Sequence, residues 1–166
     1  FQYAKYLKND NFIKTRAYIS SYDFLLFSNF TFFLNDSING DQIKQKENRL
    51  MYGLNSELNY KISFISDDLW LKVGSGLRYD DVNDVELSST LNRKTTLSDI
   101  ALGQVDESNV FGYADATYDY GNLKVNVGVR ADYFHYMYEN NLSELYDLRE
   151  AKKTAISPKF NLQYTF

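Results

Sequence analysis

Residues 123–138 read LKVNVGVRADYFHYMY, and their alternation decides the fold. Apolar side chains occupy the odd positions from Leu123 to Ala131, whereas polar residues and glycine occupy the even positions. This period of two is that of a β-strand, because the helical period of 3.6 would mix the two sets. The run also exceeds the usual ~5–6 residues of a strand. We therefore predict a long strand with one apolar and one polar face.

Five further segments show the same alternation. In one of them, Leu71 and Val73 alternate with Lys72 and Gly74. Aromatic residues make up 17% of the chain, and Tyr and Phe, which dominate them, favour pleated, half-buried surfaces. We predict about seven antiparallel strands, of which the first is incomplete. The further alternating segments are residues 13–19, 50–62, 69–80, 110–120 and 158–166.

The alternation also predicts which residues share a face. A slip of one residue in the pairing would invert every side chain, so this prediction tests the register. We expect Val125, Val127 and Val129 on the same face as Leu58, Leu71, Val73, Ala114 and Ala116. We expect Lys72, Asp115, Lys124 and Arg130 on the other face.

Short turns and longer polar connections separate the segments. Tyr120-Gly121-Asn122 predicts a tight hairpin, because glycine and asparagine tolerate positive φ. Short turns at one end of a sheet and long loops at the other are typical of a transmembrane β-barrel, with periplasmic turns and extracellular loops. Further short reversals are predicted at Lys8–Asn11 and Phe64–Asp68, and longer connections around Asn35–Asp41, Ser88–Gly103 and Asn140–Lys152.

The composition argues against several classes of protein. With 18 basic and 22 acidic residues the chain has a net charge of −4, which does not suit nucleic-acid binding. The absence of cysteine argues against a disulfide framework. No apolar stretch reaches the ~20 residues of a membrane-spanning helix. The mean hydropathy of −0.46 is that of a soluble protein. A porin-like barrel also has a low mean hydropathy, because only alternate residues of its strands meet lipid.

Strand length and aromatic placement favour a membrane barrel over a soluble β-sandwich. A strand spans a bilayer with about 9–11 residues when it is tilted by about 45°, and the alternating runs reach that length. Tyr118 and Tyr120 flank the tight turn, and Tyr164 and Phe166 close the last run. Aromatic residues at both ends of a lipid-facing surface form the interfacial girdles of such barrels. We therefore predict an all-β fold, an antiparallel transmembrane β-barrel segment.

The predicted strands do not suffice for a closed barrel. Every backbone N–H and C=O group in hydrocarbon must pair, so an open sheet edge cannot face lipid. Bacterial single-chain barrels have an even number of strands, with a minimum of about 8. The chain also starts without Met inside a predicted strand and shows no signal peptide. We expect residues 1–166 to be a partial β-barrel domain of a longer precursor.

Several short motifs together resemble the β-barrel portion of TonB-dependent outer-membrane receptors. Residues 47–54, ENRLMYGL, resemble an Arg-x-x-x-Gly strand opening, and Ser157-Pro158-Lys159-Phe160 resembles a strand that commonly starts with SPK. The resemblance also includes residues 22–34, 39–43 and 110–116 and the turn at 121–123.

This resemblance implies a barrel of approximately 22 strands with a plug domain in its lumen. It implies active uptake of a siderophore, another iron complex or a similar nutrient across the outer membrane of a Gram-negative bacterium. The implied partners are outer-membrane lipid, the plug domain, the TonB complex and the small nutrient ligand, and no nucleic acid. The chain contains no recognisable plug or TonB box. A small passive barrel or porin is the main alternative, and a soluble β-sandwich binding module is the second.

Arg78 and Arg130 have the parity of the predicted polar face. They are candidate ligand contacts, since lumen cations would attract an anionic ferric chelate or contact a plug. We favour the structural alternative, in which the lumen cations pair with carboxylates on neighbouring strands. The carboxylates concerned are Asp80, Asp132 and Glu57.

The aromatic stretch of residues 24–33 lies beyond the predicted membrane span. Phe27, Phe30 and Phe32 are candidate ligand contacts in an extracellular vestibule, because ligand sites are concave and rich in aromatic side chains. Packing of an extended strand against neighbouring loops explains the stretch equally well.

The remaining residues show no signal for chemistry. His135 shares the parity of Val127 and Val129, so we interpret it as a residue of the aromatic belt rather than a haem or metal ligand. A Ser/His/Asp set, a phosphate-binding glycine loop and an HExxH motif are all missing from the sequence. We predict no enzyme activity, no metal and no cofactor. Asp80, Asp81, Asp84 and Glu86 are a calcium candidate, but we favour a solvated loop base.

Overall fold

A computed structural model describes residues 1–63 and 68–166. Seven β-strands lie in one antiparallel sheet, and each strand pairs with the next along the chain. The described part contains no helix that is long and apolar enough to cross a membrane. The strands are β1 (Gln2–Tyr6), β2 (Phe12–Ser28), β3 (Ile43–Lys61), β4 (Leu69–Leu91), β5 (Thr95–Tyr120), β6 (Leu123–Asn140) and β7 (Leu148–Tyr164).

The single sheet distinguishes this fold from a β-sandwich. A sandwich buries the inner faces of two packed sheets against each other, whereas all the strands of the described residues belong to one sheet. The sheet is open, with β1 and β7 at its edges. The prediction of about seven antiparallel strands is confirmed.

The register confirms the predicted faces. Val129 pairs with Ala114, Ala114 pairs with Val73, and Val73 pairs with Leu58. Directly opposed residues of an antiparallel sheet point to the same side, so these residues form one surface, the apolar face. The alternate residues form the polar face. The apolar face also contains Leu54, Leu71, Leu77, Val110, Ala116, Val125, Val127 and Phe160, and the polar face contains Lys14, Arg16, Glu57, Lys72, Arg78, Asp80, Tyr113, Asp115, Lys124, Arg130 and Asp132.

Tyrosines border the apolar face at both ends. Tyr120 and Tyr164 lie beside the tight turn, and the paired Tyr52 and Tyr79 lie at the opposite end of the aliphatic band. From Tyr120 to Ser108, which pairs with Tyr79, β5 rises about 40 Å along its own axis. A tilt of about 45° reduces this rise to about 28 Å along a membrane normal. That height suits the apolar band of an outer-membrane barrel, which is about 25 Å tall.

Two of the predicted short turns are confirmed. Gly121 has a φ of 56° at the first central position between β5 and β6. Asn9 and Asp10 have φ values of 57° and 61°, as in the type I′ turns that suit the twist of a hairpin. The predicted reversal at Phe64–Asp68 falls largely on residues 64–67, which lie outside the described residues.

The predicted long connection at Ser88–Gly103 is wrong. β4 continues to Leu91 and β5 begins at Thr95, so only a three-residue turn separates them. This region is rich in Ser and Thr, which are polar, yet β-branched Thr suits an extended strand. Residues 95–100 of β5 are exposed, so their polarity reflects solvent around a projecting hairpin and not a loop, whereas Ser88 and Thr90 of β4 are buried. The connections at 29–42 and 141–147 agree in place with the other two predicted loops.

Candidate functional site

Two strands carry the same Arg-x-Asp arrangement on the polar face. Arg78 Nε lies 3.1 Å from both carboxylate oxygens of Asp80, and Arg78 Nη2 lies 2.8 Å from Oδ2. In β6, Arg130 Nε lies 2.8 Å from Asp132 Oδ2, and Nη2 lies 2.7 Å from Oδ1. The carboxylates are buried, whereas the arginine side chains are 45% and 42% exposed. Each guanidinium group is thus anchored by a buried carboxylate.

These ion pairs correct the predicted pairing across strands. Asp80 and Asp132 are indeed the partners, but each lies two residues along the same strand as its arginine. Residues at i and i+2 of a strand point to the same face, which brings the two side chains together. Glu57, the third predicted partner, instead accepts a hydrogen bond from the Tyr113 hydroxyl at 3.0 Å.

Aromatic rings lie flat against glycines of the polar face. The Phe111 ring covers Gly76 and the Tyr113 ring covers Gly74, where a Cβ atom would collide with each ring. The Arg130 guanidinium carbon lies 3.9 Å from the centroid of the Phe111 ring, within the range of a cation–π interaction. The two glycines therefore let the rings pack close to the backbone. The Phe111 ring in turn supports the Arg130 guanidinium group.

Two adjoining cavities open on the polar face. Their volumes are about 380 and 320 Å³, and Lys72 and Asp115 line both of them. Among the described residues, neither Lys72 nor Arg16 pairs with a carboxylate, and Arg16 Nε donates a hydrogen bond to the Gln2 side-chain oxygen at 3.3 Å. In the same part of the chain, Asn55 Oδ1 and Asn59 Nδ2 are buried without a hydrogen-bond partner. This surface therefore offers positive charge to a partner, whereas the two unpartnered amide atoms lie beneath it.

A third cavity, of about 440 Å³, lies in the connection between β2 and β3. We call residues 29–42 the β2–β3 loop. Ile43, which lines the cavity, pairs with Ser28, and Ser28 has the parity of Arg16. The cavity therefore lies beside the polar face, on its extension beyond Tyr52. Its lining residues are Phe30, Thr31, Asn35, Asp36, Gly40, Asp41, Ile43 and Ser89.

Two carboxylates hold the β2–β3 loop in shape. Asp41 accepts hydrogen bonds from the backbone N–H groups of Asn35 and Asp36, at 3.0 and 2.8 Å. Asp36 accepts from the backbone N–H groups of Ile38 and Asn39, both at 2.9 Å. Hydrogen bonds to the charged form favour it. The N–H of Asn39 is the chief cause of the lowered pKa of Asp36, and the N–H of Asn35 is the chief cause of the lowered pKa of Asp41.

We expect acid to loosen this loop. A carboxyl group whose pKa is lowered by folding stabilises the folded form above its unfolded pKa, about 3.9 for Asp. That contribution is lost as the pH falls below this value and through the lowered pKa values of Asp36 and Asp41. Hydrogen exchange at Ile38 and Asn39 should accelerate below about pH 4 beyond the intrinsic pH dependence. Equal protection factors at pH 3 and pH 7 would contradict the expectation.

The structure separates the predicted ligand residues. Phe30 and Phe32 lie in the β2–β3 loop and are 84% and 69% exposed. Phe27 pairs with Lys44 and has the parity of the apolar face, so it points away from the loop cavity. Arg78 and Arg130 lie two strands apart and four residues apart along the strands, a separation of about 16 Å in the sheet. Only Phe30 of these residues lines the loop cavity.

Asp36, Asp41 and Ile43 line this cavity but were not among the predicted ligand residues. The signal for the two carboxylates was present in residues 35–41, NDSINGD, because Asn and Asp side chains bond to backbone N–H groups in turns. Ile43 carried no such signal, since its place depends on the register between β2 and β3.

The predicted position of His135 is confirmed. His135 pairs with Ser108 and Lys152 on the side of the apolar face, and its Nε2 lies 2.6 Å from Glu150 Oε1. This position is level with the Tyr52 and Tyr79 pair, at one border of the aliphatic band.

The acidic residues of β4 do not converge on one point. Asp80 pairs with Arg78 on the polar face, whereas the neighbouring Asp81 lies on the opposite face. Asp84 and Glu86 each pair with a lysine, at 3.1 and 2.7 Å. Residues 1–63 and 68–166 contain no group of three His, Cys, Asp or Glu side chains arranged to hold a metal ion. The interpretation as a solvated loop base is wrong, because these residues belong to a strand.

The family to which the chain is similar explains why the sheet has one apolar and one polar face. The family model for TonB dependent receptor-like β-barrels matches residues 1–166. The chain belongs to this family. No curated protein matches the chain. The family consists of outer-membrane receptors and transporters of Gram-negative bacteria, and not of enzymes. In a TonB-dependent receptor barrel the apolar face meets lipid and the polar face lines the lumen.

Proposed function

We propose that this segment forms part of a receptor that takes up a siderophore, another iron complex or a similar scarce nutrient. The family match over residues 1–166 is the observation that carries the proposal. The polar face supports it, because charged side chains there would border a transport path. Phe30 and Phe32 at the loop are the proposed ligand contacts, and Arg78 and Arg130 on the wall are further candidates, for which we favour the structural role. Phe27 is the weakest candidate, because it borders the loop but its side chain lies on the apolar face.

The proposal places residues 1–166 within a larger barrel of about 22 strands. The open edges at β1 and β7 support this, because unpaired N–H and C=O groups are too costly in hydrocarbon. Further strands would pair with both edges, a plug would fill the lumen, and TonB would supply the energy for transport.

Uptake of radiolabelled iron tests the transport function. Cells that lack the full-length gene should lose uptake of one iron chelate from a panel, and a plasmid copy should restore it. A protonophore should abolish the restored uptake, because TonB-dependent transport consumes the proton gradient. Restored uptake that persists with the protonophore would indicate a passive porin and overturn the proposal.

We further propose that the two polar-face cavities dock carboxylate groups of the plug. Lys72 and Arg16 carry charges without a carboxylate partner among the described residues. A plug segment with acidic side chains would pair with both of these cations. Opposite charges that meet in a buried interface fix its register and exclude wrong arrangements.

Reversal of the Lys72 charge should therefore loosen the plug. We expect Lys72→Glu in the full-length receptor to make cells more sensitive to an antibiotic too large for porins. Lys152→Glu, a reversal at an exposed position on the other face, is the matched control. Equal sensitivity of the two variants, with equal amounts of receptor in the membrane, would contradict plug docking at Lys72.

A further inference from the structure

The cavity of the β2–β3 loop lies where a solute would first meet the receptor. Along β3, Ile43 lies about 30 Å beyond Tyr52, which is about 20 Å above the upper tyrosine border at a tilt of about 45°. The register places Ile43 and its partners Ser28 and Ser89 on the extension of the polar face. The cavity thus opens above the lumen and outside the membrane span.

The loop presents its apolar side chains outward on a fixed frame. Phe30, Phe32, Phe33, Leu34 and Ile38 are between 59% and 85% exposed. An exposed apolar cluster of this kind marks an interaction site on a soluble surface. Preorganised loops bind with less loss of conformational entropy than flexible loops.

The backbone of the loop also holds an unusual conformation. Phe32 has a φ of 56°, which is rare for a residue with a bulky side chain. Its carbonyl oxygen accepts a hydrogen bond from Asp41 N–H at 2.6 Å. Gly40, with a φ of 81°, lets the chain pass close to this carbonyl, since a Cβ atom would lie 3.1 Å from it. The surrounding bonds therefore keep the Phe32 conformation in place.

The charged side chains that line the cavity determine which ligand charge it favours. Phe30 and Ile43 supply apolar surface, and Asp36 and Asp41 are the only ionisable side chains among the described lining residues. Their lowered pKa values keep both carboxylates charged at neutral pH. An anionic ligand would meet negative charge without any lining Lys or Arg to offset it. A volume of about 440 Å³ suits a small ligand.

We propose that the β2–β3 loop is a vestibule site for a flat apolar ligand, or ligand moiety, that is neutral or cationic. This inference deepens the proposed function and rests on it for the role of the site in uptake. It differs from capture of an anionic chelate, which Arg78 and Arg130 would favour deeper in the lumen. The two surfaces would then act on different parts or forms of the transported solute.

Binding of three small probes to the full-length receptor in lipid nanodiscs tests the site. Benzamidine, benzyl alcohol and benzoate share one ring and are cationic, neutral and anionic. Saturation-transfer NMR should show binding of benzamidine and benzyl alcohol, and benzoate should bind about fivefold more weakly or not at all. Phe30→Ala should weaken benzamidine binding by about fivefold. Leu145→Ala, at an 80% exposed position of another connection, should leave it unchanged.

The outcomes separate this site from the transport function. Benzoate binding as tight as benzamidine binding, or a Phe30→Ala receptor that binds benzamidine normally, would overturn the site. Loss of all probe binding with normal iron uptake would overturn the site and leave the transport function intact. Selective, Phe30-dependent probe binding without proton-driven uptake of any chelate would support the site and overturn the proposed uptake of iron complexes.

Discussion

Replacement of Ala114 by Arg should lower the free energy of unfolding of the full-length receptor by about 2–4 kcal/mol. Ala114 lies in the middle of the apolar face, between Val73 and Val129 on the neighbouring strands. The Tyr120 and Tyr79 borders lie on either side of it along the strands. A guanidinium group at this depth has no water and no carboxylate within reach on the same face.

A second position of β5 supplies the matched control. Thr117 lies on the polar face beside Asp115 and lines a cavity that can hold a longer side chain. We expect Thr117→Arg to change the free energy of unfolding by less than about 1 kcal/mol. Guanidinium titration of both variants in phospholipid vesicles measures the difference. Equal destabilisation, or a larger effect of Thr117→Arg, would show that the apolar face does not meet lipid.

The faces were predictable because the period of a strand is two. Any long antiparallel run with Val125, Val127 and Val129 at alternate positions must place them together, whichever strands pair with it. The pairing order was predictable as well, since short turns such as the one at Gly121 join neighbouring strands. These features depend on local sequence, and the structure agrees with them.

The extent of the hairpin between β4 and β5 was not predictable in the same way. In β5, residues 95–100 are exposed on both faces of the strand, so the alternation of apolar and polar residues disappears there. Thr95 and Thr96 then resemble loop residues in hydropathy although they lie in a strand. Only the pairing of Thr96 with Thr90 reveals the extended conformation.

The candidate sites depend on contacts that sequence spacing does not specify. The alternation put Arg78 and Asp80 on one face, but it did not distinguish a partner on the same strand from a partner on the next. The loop cavity needs Ile43 from one strand and Ser89 from another, which only the register brings together. Phe30, in the aromatic half of this cavity, was predicted as a ligand contact, whereas the residues of the polar half were not.

Replacement of Asp80 by Asn should lower the free energy of unfolding by about 2 kcal/mol. The Asp80 side chain is 1% exposed and pairs with Arg78 at 2.8 Å and with Arg49 at 4.0 Å, although Glu47 lies nearer to Arg49, at 3.2 Å. Loss of a buried ion-pair partner costs about 3–5 kcal/mol when the other charge stays buried. Arg78 is 45% exposed and can turn to water, which reduces the cost.

The repeated Arg130–Asp132 pair is an internal comparison. Asp132 also accepts a hydrogen bond from Asn109 at 3.2 Å, and the amide introduced by Asp132→Asn would keep that contact by presenting its oxygen. We therefore expect a smaller loss for Asp132→Asn than for Asp80→Asn. Guanidinium titration of the full-length receptor in vesicles provides both values. An Asp132→Asn variant that loses more stability would contradict the role of the second arginine at Asp80.

A double-mutant cycle distinguishes a structural role of the Arg78–Asp80 pair from a role in ligand binding. If the pair stabilises the wall, Arg78→Met should remove most of the penalty of Asp80→Asn, because no unpaired guanidinium remains. A pair that instead holds Arg78 ready for an anionic ligand would show little coupling in stability. In that case, disruption of the Arg78–Asp80 pair would reduce iron uptake without changing the unfolding midpoint. Because Asp80 is buried while half of Arg78 faces the lumen, we expect the coupling in stability, and an effect on uptake only as a consequence of it.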